Sequence, residues 1–225
     1  MKLLTFAFAA ALAVALFLFV QRRPSETAHA APAAQQHSAQ FRDVMDLTAP
    51  VGDARSRVQL STRVEAPAEF LPGAWTVDDI PPQRLLGSLV VLDVRSKAAG
   101  NSSYEISPDD IDHWERIHGE IPPDGIVVAL TGRTKADPRG EFPSYSADAV
   151  EFLASGRHVL ALGSDAPAAT RSHAVGEQIA RLGIYQLSGV AGLNMAPEAG
   201  AIVIVAPGRT GGATEGDARM FALLR

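Results

Sequence analysis

Two acids, Glu65 and Glu69, flank Ala66-Pro67-Ala68, and Arg63 stands two residues before the first of them. Two acids four apart around a proline, with a cation beside them, form a compact charged group. Arg63 can pair with either one through a charge-assisted hydrogen bond. The plainer reading of the same residues is a surface ion pair, worth little to stability. His173 is a second centre. It follows the loop 163–167 (GSDAP) at the start of a helix, and loops at strand ends are where α/β folds build sites. Ser164, Asp165 and His173 supply the residue types of a triad. No G-x-S-x-G elbow is present, and nearness in sequence does not make a triad.

The other candidates are weaker. His113 and His118 are five apart, so they do not share a helical face. His158 reads as a structural residue opening a strand. The segment 208–216 (GRTGGATEG) is glycine-rich but lacks the Lys-Ser/Thr of a phosphate loop and does not match G-x-G-x-x-G. It reads as a flexible turn after the last strand.

Composition bounds the chemistry. The chain has 225 residues, 47% of them hydrophobic and 20% charged, which is a folded rather than a disordered composition. The formal charge is −5, and no cluster of Lys and Arg exists to neutralise phosphates, so nucleic acid is excluded as a partner. There are no cysteines. Disulfides, thiolate zinc sites and cysteine nucleophiles are therefore excluded, and any metal must rest on His, Asp, Glu or weaker oxygen ligands.

These residues need elements to position them. The alternation in residues 57–64 (RVQLSTRV) predicts a half-buried strand, and 89–94 (LVVLDV) and 126–130 (IVVAL) predict buried strands. Ser107-Pro108-Asp109-Asp110 predicts a helix start, with Gly119 as its stop. Ser146 caps a second helix that ends at Gly156, and a third covers about 172–182 with Gly183 after it. Strands are expected at 158–162, 184–187 and 201–205. Strand and helix alternate from Ile126 onward, which predicts an α/β domain with parallel pairings in its second half and a mixed sheet overall.

The amino terminus is different in kind. Residues 3–20 carry no charge and, as a helix, would span about 27 Å, close to a hydrocarbon core. Lys2 precedes the run, Arg22 and Arg23 follow it, and Ala28-His29-Ala30 resembles an export cleavage site. Residues 1–23 are expected to be a signal peptide or membrane anchor, 24–43 a flexible linker, and 44–225 the folded domain. The domain is then exported, periplasmic or extracellular, or held to a membrane by its N-terminal helix.

Laid end to end, the domain resembles the cyclase family of metal-dependent hydrolases, which includes kynurenine formamidase (arylformamidase). The resemblance runs from Asp46-Leu47-Thr48 nearly to the C-terminus, through Leu92-Asp93-Val94-Arg95, Tyr104-Glu105-Ile106-Ser107, Thr131-Gly132-Arg133, Gly163-Ser164-Asp165-Ala166-Pro167 and Asp217-Ala218-Arg219. It implies a single swivelling β/β/α domain with a mixed sheet and flanking helices, hydrolysis of an amide or related acyl C–N bond, and homo-oligomers.

The family signature H-x-G-T-H-x-D-x-P-x-H meets Gln59-Leu60-Ser61-Thr62-Arg63-Val64-Glu65-Ala66-Pro67-Ala68-Glu69. Only the threonine and the proline are unchanged. Gln59 and Arg63 stand where the resemblance places histidine ligands, Glu65 replaces an aspartate ligand, and Glu69 replaces the acid/base histidine. Downstream, His173 matches a histidine ligand, and Ser188 falls where a glutamate ligand is expected. Arg63 is a fixed cation that cannot coordinate a metal. It can take the place of the metal's charge by pairing with Glu65 or Glu69, but it cannot generate hydroxide at neutral pH.

Two expectations follow. One is an altered hydrolase with a single divalent metal, Zn or Mn, on Glu65, Glu69 and His173, or with none. Glu69 or His173 would then be the base, with Asp165 and Ser188 behind them. The other is a non-catalytic relative, a pseudoenzyme, in which Arg63 and Gln59 belong to a charge cluster that binds a small amide or carboxylate ligand or a protein partner.

Overall fold

The structure is a computed structural model that describes residues 41–49, 61–136 and 139–225. The anchor or signal segment and Gln59 lie outside the described residues, as does the first half of the strand expected at 57–64. Among the described residues, no helix is long and apolar enough to cross a membrane.

Among the described residues, ten strands and four helices form the domain. The strands are β1 (Asp43–Asp46), β2 (Arg63–Glu65), β3 (Leu86–Asp93), β4 (Glu105–Ile106), β5 (Gly125–Leu130), β6 (Ser144–Tyr145), β7 (Ala161–Ser164), β8 (Tyr185–Ser188), β9 (Ile202–Pro207) and β10 (Glu215–Leu224). The helices are α1 (Arg95–Gly100), α2 (Pro108–His118), α3 (Ala147–Glu151), which runs on into a wider turn at Phe152–Gly156, and α4 (His173–Arg181).

Seven strands close into a barrel in the order β10-β2-β8-β7-β5-β3-β9, with β9 returning to β10. β3, β5, β7 and β8 are parallel neighbours in that sequence. β2, β9 and β10 complete the ring through antiparallel pairings. β1 adds to β10 beyond β2. β4 and β6 form a separate two-stranded pair.

Side-chain alternation along the strands builds two cores. Val64, Leu89, Val91, Ile126, Val128, Leu187, Val203 and Met220 point into the barrel. Val90, Leu92, Val127, Ala129 and Leu162 point outward under the helices and meet Ile111, Trp114, Val150, Leu153 and Ile179. Each such buried Leu, Ile or Val removes enough apolar surface from water to contribute about 1.5–3 kcal/mol.

The helix starts follow local chemistry. At α2 the Ser107 side chain and the Asp110 carboxylate form a reciprocal capping box, and Pro108 occupies the first turn. Ser146 and Ser172 accept from Ala149 N and Val175 N at the starts of α3 and α4. Gly119 and Gly183 lie in the left-handed region just past α2 and α4, where glycine is unstrained.

Two expectations need correction. The chain does not end its sheet at β9, because β10, ten residues long, pairs with β1, β2 and β9. His158 does not open a strand. Its φ is +55°, and its N–H still bonds Ala154 O at the end of the second helical segment, so β7 begins only at Ala161.

Candidate functional site

The outer face of β8, β2 and β10 carries the motif residues. Val64 and Leu187 point into the barrel, so their neighbours on the same strands face outward. The register sets these neighbours in two rows. Gln186, Glu65 and Glu215 stand side by side across β8, β2 and β10. Ser188, Arg63 and Asp217 form the next row.

Arg63 does not pair with Glu65 or Glu69 as expected. Its Nη2 lies 2.6 Å from Glu215 Oε1, diagonally across β2 and β10. The reason is positional. Glu65 is two residues along the same strand, whereas β10 presents its acids beside Arg63. Asp217, directly opposite, is held by Ser61, whose hydroxyl donates to Oδ1 at 2.6 Å.

Glu65 is largely buried, and burial pushes its carboxyl above the usual carboxylate range. Glu215 and Glu69 push the same way, against a hydrogen bond from Ser188 and the charge of Arg63. Glu69 lies at the end of a short 3₁₀ turn, Pro67–Glu69, that leads out of β2. Its carboxylate accepts from the Thr214 hydroxyl. The turn packs on α4, where Phe70 lies 5.9 Å from the His173 ring. Gly176 allows that approach, because a Cβ there would stand 2.4 Å from the Phe70 ring. His173 itself is 71% exposed, and its Nε2 is 3.4 Å from Glu177.

The structure thus brings Arg63, Glu65 and Ser188 together, with Glu69 at the margin. His173 joins them only through Phe70. Glu65, Glu69 and His173 do not form a metal-ligating group, and no cluster of three His, Asp or Glu side chains placed to hold a metal exists among the described residues.

Asp165 has another task. Its carboxylate accepts from the N–H and hydroxyl of Thr131 and from Gly132 N, which fixes the loop after β5. Thr62 and Pro67, in the same stretch, are also structural. Thr62 is fully buried, donates to Gly189 O at 2.9 Å and accepts from Ala49 N at 2.8 Å. Pro67 starts the 3₁₀ turn.

Sequence reasoning missed Glu215, Asp217, Thr214 and Gln186. The alternating acids of Glu215-Gly216-Asp217 were the available signal, because acids two apart on a strand share a face. Two buried atoms of this surface, Arg63 Nε and Gln186 Oε1, have no hydrogen-bond partner. The glycine-rich segment is not a free turn. Asp78 accepts from Thr210 N at 2.9 Å and Gly212 N at 3.0 Å, and these bonds hold its carboxyl below the usual range. These backbone donors are occupied by an internal carboxylate.

The sequence matches the family model described as "Putative cyclase" over residues 27–170, more than half of the chain. The chain belongs to the cyclase family. It is 27% identical over 186 residues to isatin hydrolase from Roseibium aggregatum, a match covering 72% of this chain and 70% of the relative. Among solved structures it is similar to isatin hydrolase A from Labrenzia aggregata bound to benzyl benzoate, with a TM-score of 0.73, 21% identity and coverage of 81% and 93% of the two chains. It is also similar to a protein described as a "potential metal-dependent hydrolase with cyclase activity", with a TM-score of 0.66, 22% identity and coverage of 81% and 98%. At these identities the two structures establish a shared fold.

Proposed function

We propose that this chain is a non-hydrolytic member of the cyclase family, a binding module in which an ion-pair cluster stands at the surface its hydrolytic relatives use for chemistry. The observation that carries the reading is the Arg63–Glu215 pair at 2.6 Å, a fixed cation set among Glu65, Glu215 and Asp217. A guanidinium can neutralise carboxylates but cannot lower the pKa of a bound water. The retention of Thr62 and Pro67, both of which hold backbone, supports the same view.

The cluster also bears on the ligand. With Glu69 included, one cation faces four carboxyl groups, so a small carboxylate is repelled and a neutral amide fits better. Exported or membrane-anchored placement, through residues 1–23, remains part of this proposal.

A second reading has one observation in its favour. Glu65 senses Glu69, whose turn packs on the helix that begins with His173. In that reading a single Zn or Mn ion recruits these three residues and hydrolyses an amide, with Glu69 or His173 as base.

One experiment separates the two. The purified chain is equilibrated with zinc or manganese, analysed for metal and assayed with isatin and formanilide. The non-hydrolytic reading expects no stoichiometric metal and no turnover. About one metal per chain, lost in His173→Ala together with turnover, would overturn it.

A further inference from the structure

The row formed by Gln186, Glu65 and Glu215 holds a buried polar group that the protein does not satisfy. Gln186 is 1% exposed, and among the described residues its Oε1 has no donor. Val64 and Leu187 point into the barrel, so Gln186 and Glu65, which pair across β8 and β2, share the other face of the sheet. Buried polar groups are nearly always hydrogen-bonded, because an unpaired one keeps its full desolvation penalty. A donor from a ligand would satisfy this oxygen.

The neighbours set the charge that donor should carry. Arg63 faces Glu65, Glu215 and Asp217, with Glu69 at the margin. Arg219, farther along β10, is held by Asp46. Of the four carboxyls only Glu215 receives the cation. The donors on the others are hydroxyls, Ser61 on Asp217, Thr214 on Glu69 and Ser188 on Glu65. A hydroxyl satisfies a lone pair without cancelling charge, and an ionised carboxylate has room for about four such bonds. The excess is felt at Glu65, whose carboxyl is pushed up first by burial and then by Glu215 and Glu69.

A bare metal ion does not match this excess, since no three of these acids are placed to share one among the described residues. A molecular cation spreads its N–H donors over a wider area. Arg63 adds a further demand. Its Nη2 is engaged by Glu215, but its Nε is buried and has no acceptor. The complementary ligand therefore brings an oxygen as well as a cation.

We propose that this face binds a small organic ammonium ion that carries a carbonyl or hydroxyl oxygen close to its nitrogen. The ammonium donates to Gln186 Oε1 and to Glu65, and the oxygen accepts from Arg63 Nε. This rests on the reading of the chain as a non-hydrolytic binding module and narrows its ligand class, because an ammonium offers three donors and a full positive charge where a neutral amide offers two donors and none.

Glycinamide is the probe, an amino amide whose amine is largely protonated at pH 7. Glycolamide, with a hydroxyl in place of the ammonium, is its neutral counterpart of nearly equal size. Both are titrated into the purified chain by calorimetry at low ionic strength, and the melting temperature in each is a second readout. The expected result is saturable binding of glycinamide, with glycolamide weaker by about tenfold or more, the effect of a lost charge-assisted contact. Added salt weakens glycinamide. Gln186→Leu weakens it by about tenfold; this variant keeps the side chain's approximate size and removes an unsatisfied atom, so the fold should hold. Glu215→Gln, at an exposed position, weakens it severalfold through charge alone. Absence of saturable binding overturns the proposal, as does equal binding of the two probes or unchanged affinity in Gln186→Leu. The same preparation is analysed for metal and turnover. Stoichiometric metal or turnover overturns the binding-module reading and this proposal with it, whereas no metal, no turnover and no glycinamide binding overturn this proposal alone.

Discussion

Glu65 and Glu215 stand directly opposite each other across β2 and β10, two like charges in register on one face of the sheet. Such a pair is destabilising when both groups are ionised. The structure meets the conflict in two ways. Arg63 reaches diagonally to Glu215, and burial raises the pKa of Glu65, so that its proton is held longer than in water. The cluster therefore depends on pH, and its sign can be worked out.

An acid whose folded pKa is raised favours folding below its unfolded pKa, near 4.3, and loses that contribution as pH rises through the folded value. Glu65→Gln removes the charge and keeps a partner for Ser188. At pH 7 it should stabilise the domain by about 0.2–1 kcal/mol, the usual size of a cross-strand charge effect. The gain should shrink toward zero near pH 4. Thermal melts of both proteins from pH 4 to 8 check this, and a Glu65→Gln chain less stable than the parent at pH 7 would count against it.

Arg63→Ala should act in the opposite direction. The pair with Glu215 is partly exposed, at 33% and 45%, so its direct contribution is discounted for solvent to about 0.5 kcal/mol. Repulsion among the acids left behind brings the loss to about 1 kcal/mol at low salt. High salt should reduce the loss, because screening acts on exposed charges. A double-mutant cycle of Arg63→Ala and Glu215→Ala, read by denaturant unfolding at two ionic strengths, measures the pair itself.

The sequence was most informative where the signal is local. Ser107, Ser146 and Ser172 each announced a helix, because a cap needs only its own turn. β3 and β5 were legible as apolar runs buried on both faces. β10 was hidden because its inward residues are Ala218, Met220 and Ala222, which prefer helices in isolation. Its strand state comes from pairing with β9, the strand before it, and with β1 and β2, which are distant in sequence, and tertiary pairing overrides propensity. The same cause hid half of the site. Glu215 and Asp217 meet Arg63 only through a register that spans about 150 residues of chain. The family resemblance grouped His173 with Arg63 and Glu65, whereas the structure sets it at the exposed start of α4.

Asp78 offers a test of the glycine-rich loop. Thr210 N, Gly212 N and Gly211 N hold its carboxyl below the usual range. A lowered carboxyl pKa contributes stability above the unfolded value near 3.9 and loses it as pH falls through the folded value. Asp78→Asn should lower the melting temperature at pH 7 and speed amide exchange at Thr210 and Gly212. Once the pH has fallen below the folded value, the two proteins should melt together. Equal exchange rates at pH 7 would show that the loop does not need this carboxylate.

Gly176→Ala sets two effects of known sign against each other. Alanine in the middle of a helix is favoured over glycine by about 1 kcal/mol. A Cβ at Gly176, however, would fall 2.4–2.5 Å from two carbons of the Phe70 ring. Real carbon contacts are about 3.5–4.0 Å. The ring cannot simply swing away, because Phe70 ends the turn that carries Glu69 and is wedged between that turn and α4. Overpacking of this kind costs about 1–3 kcal/mol, so the clash should win. The displacement should also move Glu69 away from Thr214, its partner across the loop before β10. Gly176→Ala is therefore expected to lower stability, whereas Gly176→Ala combined with Phe70→Ala should recover the helix-propensity gain while losing the ring's packing. A single Gly176→Ala chain that melts above the parent would mean that Phe70 is free to move, and the 3₁₀ turn would then not be fixed by α4.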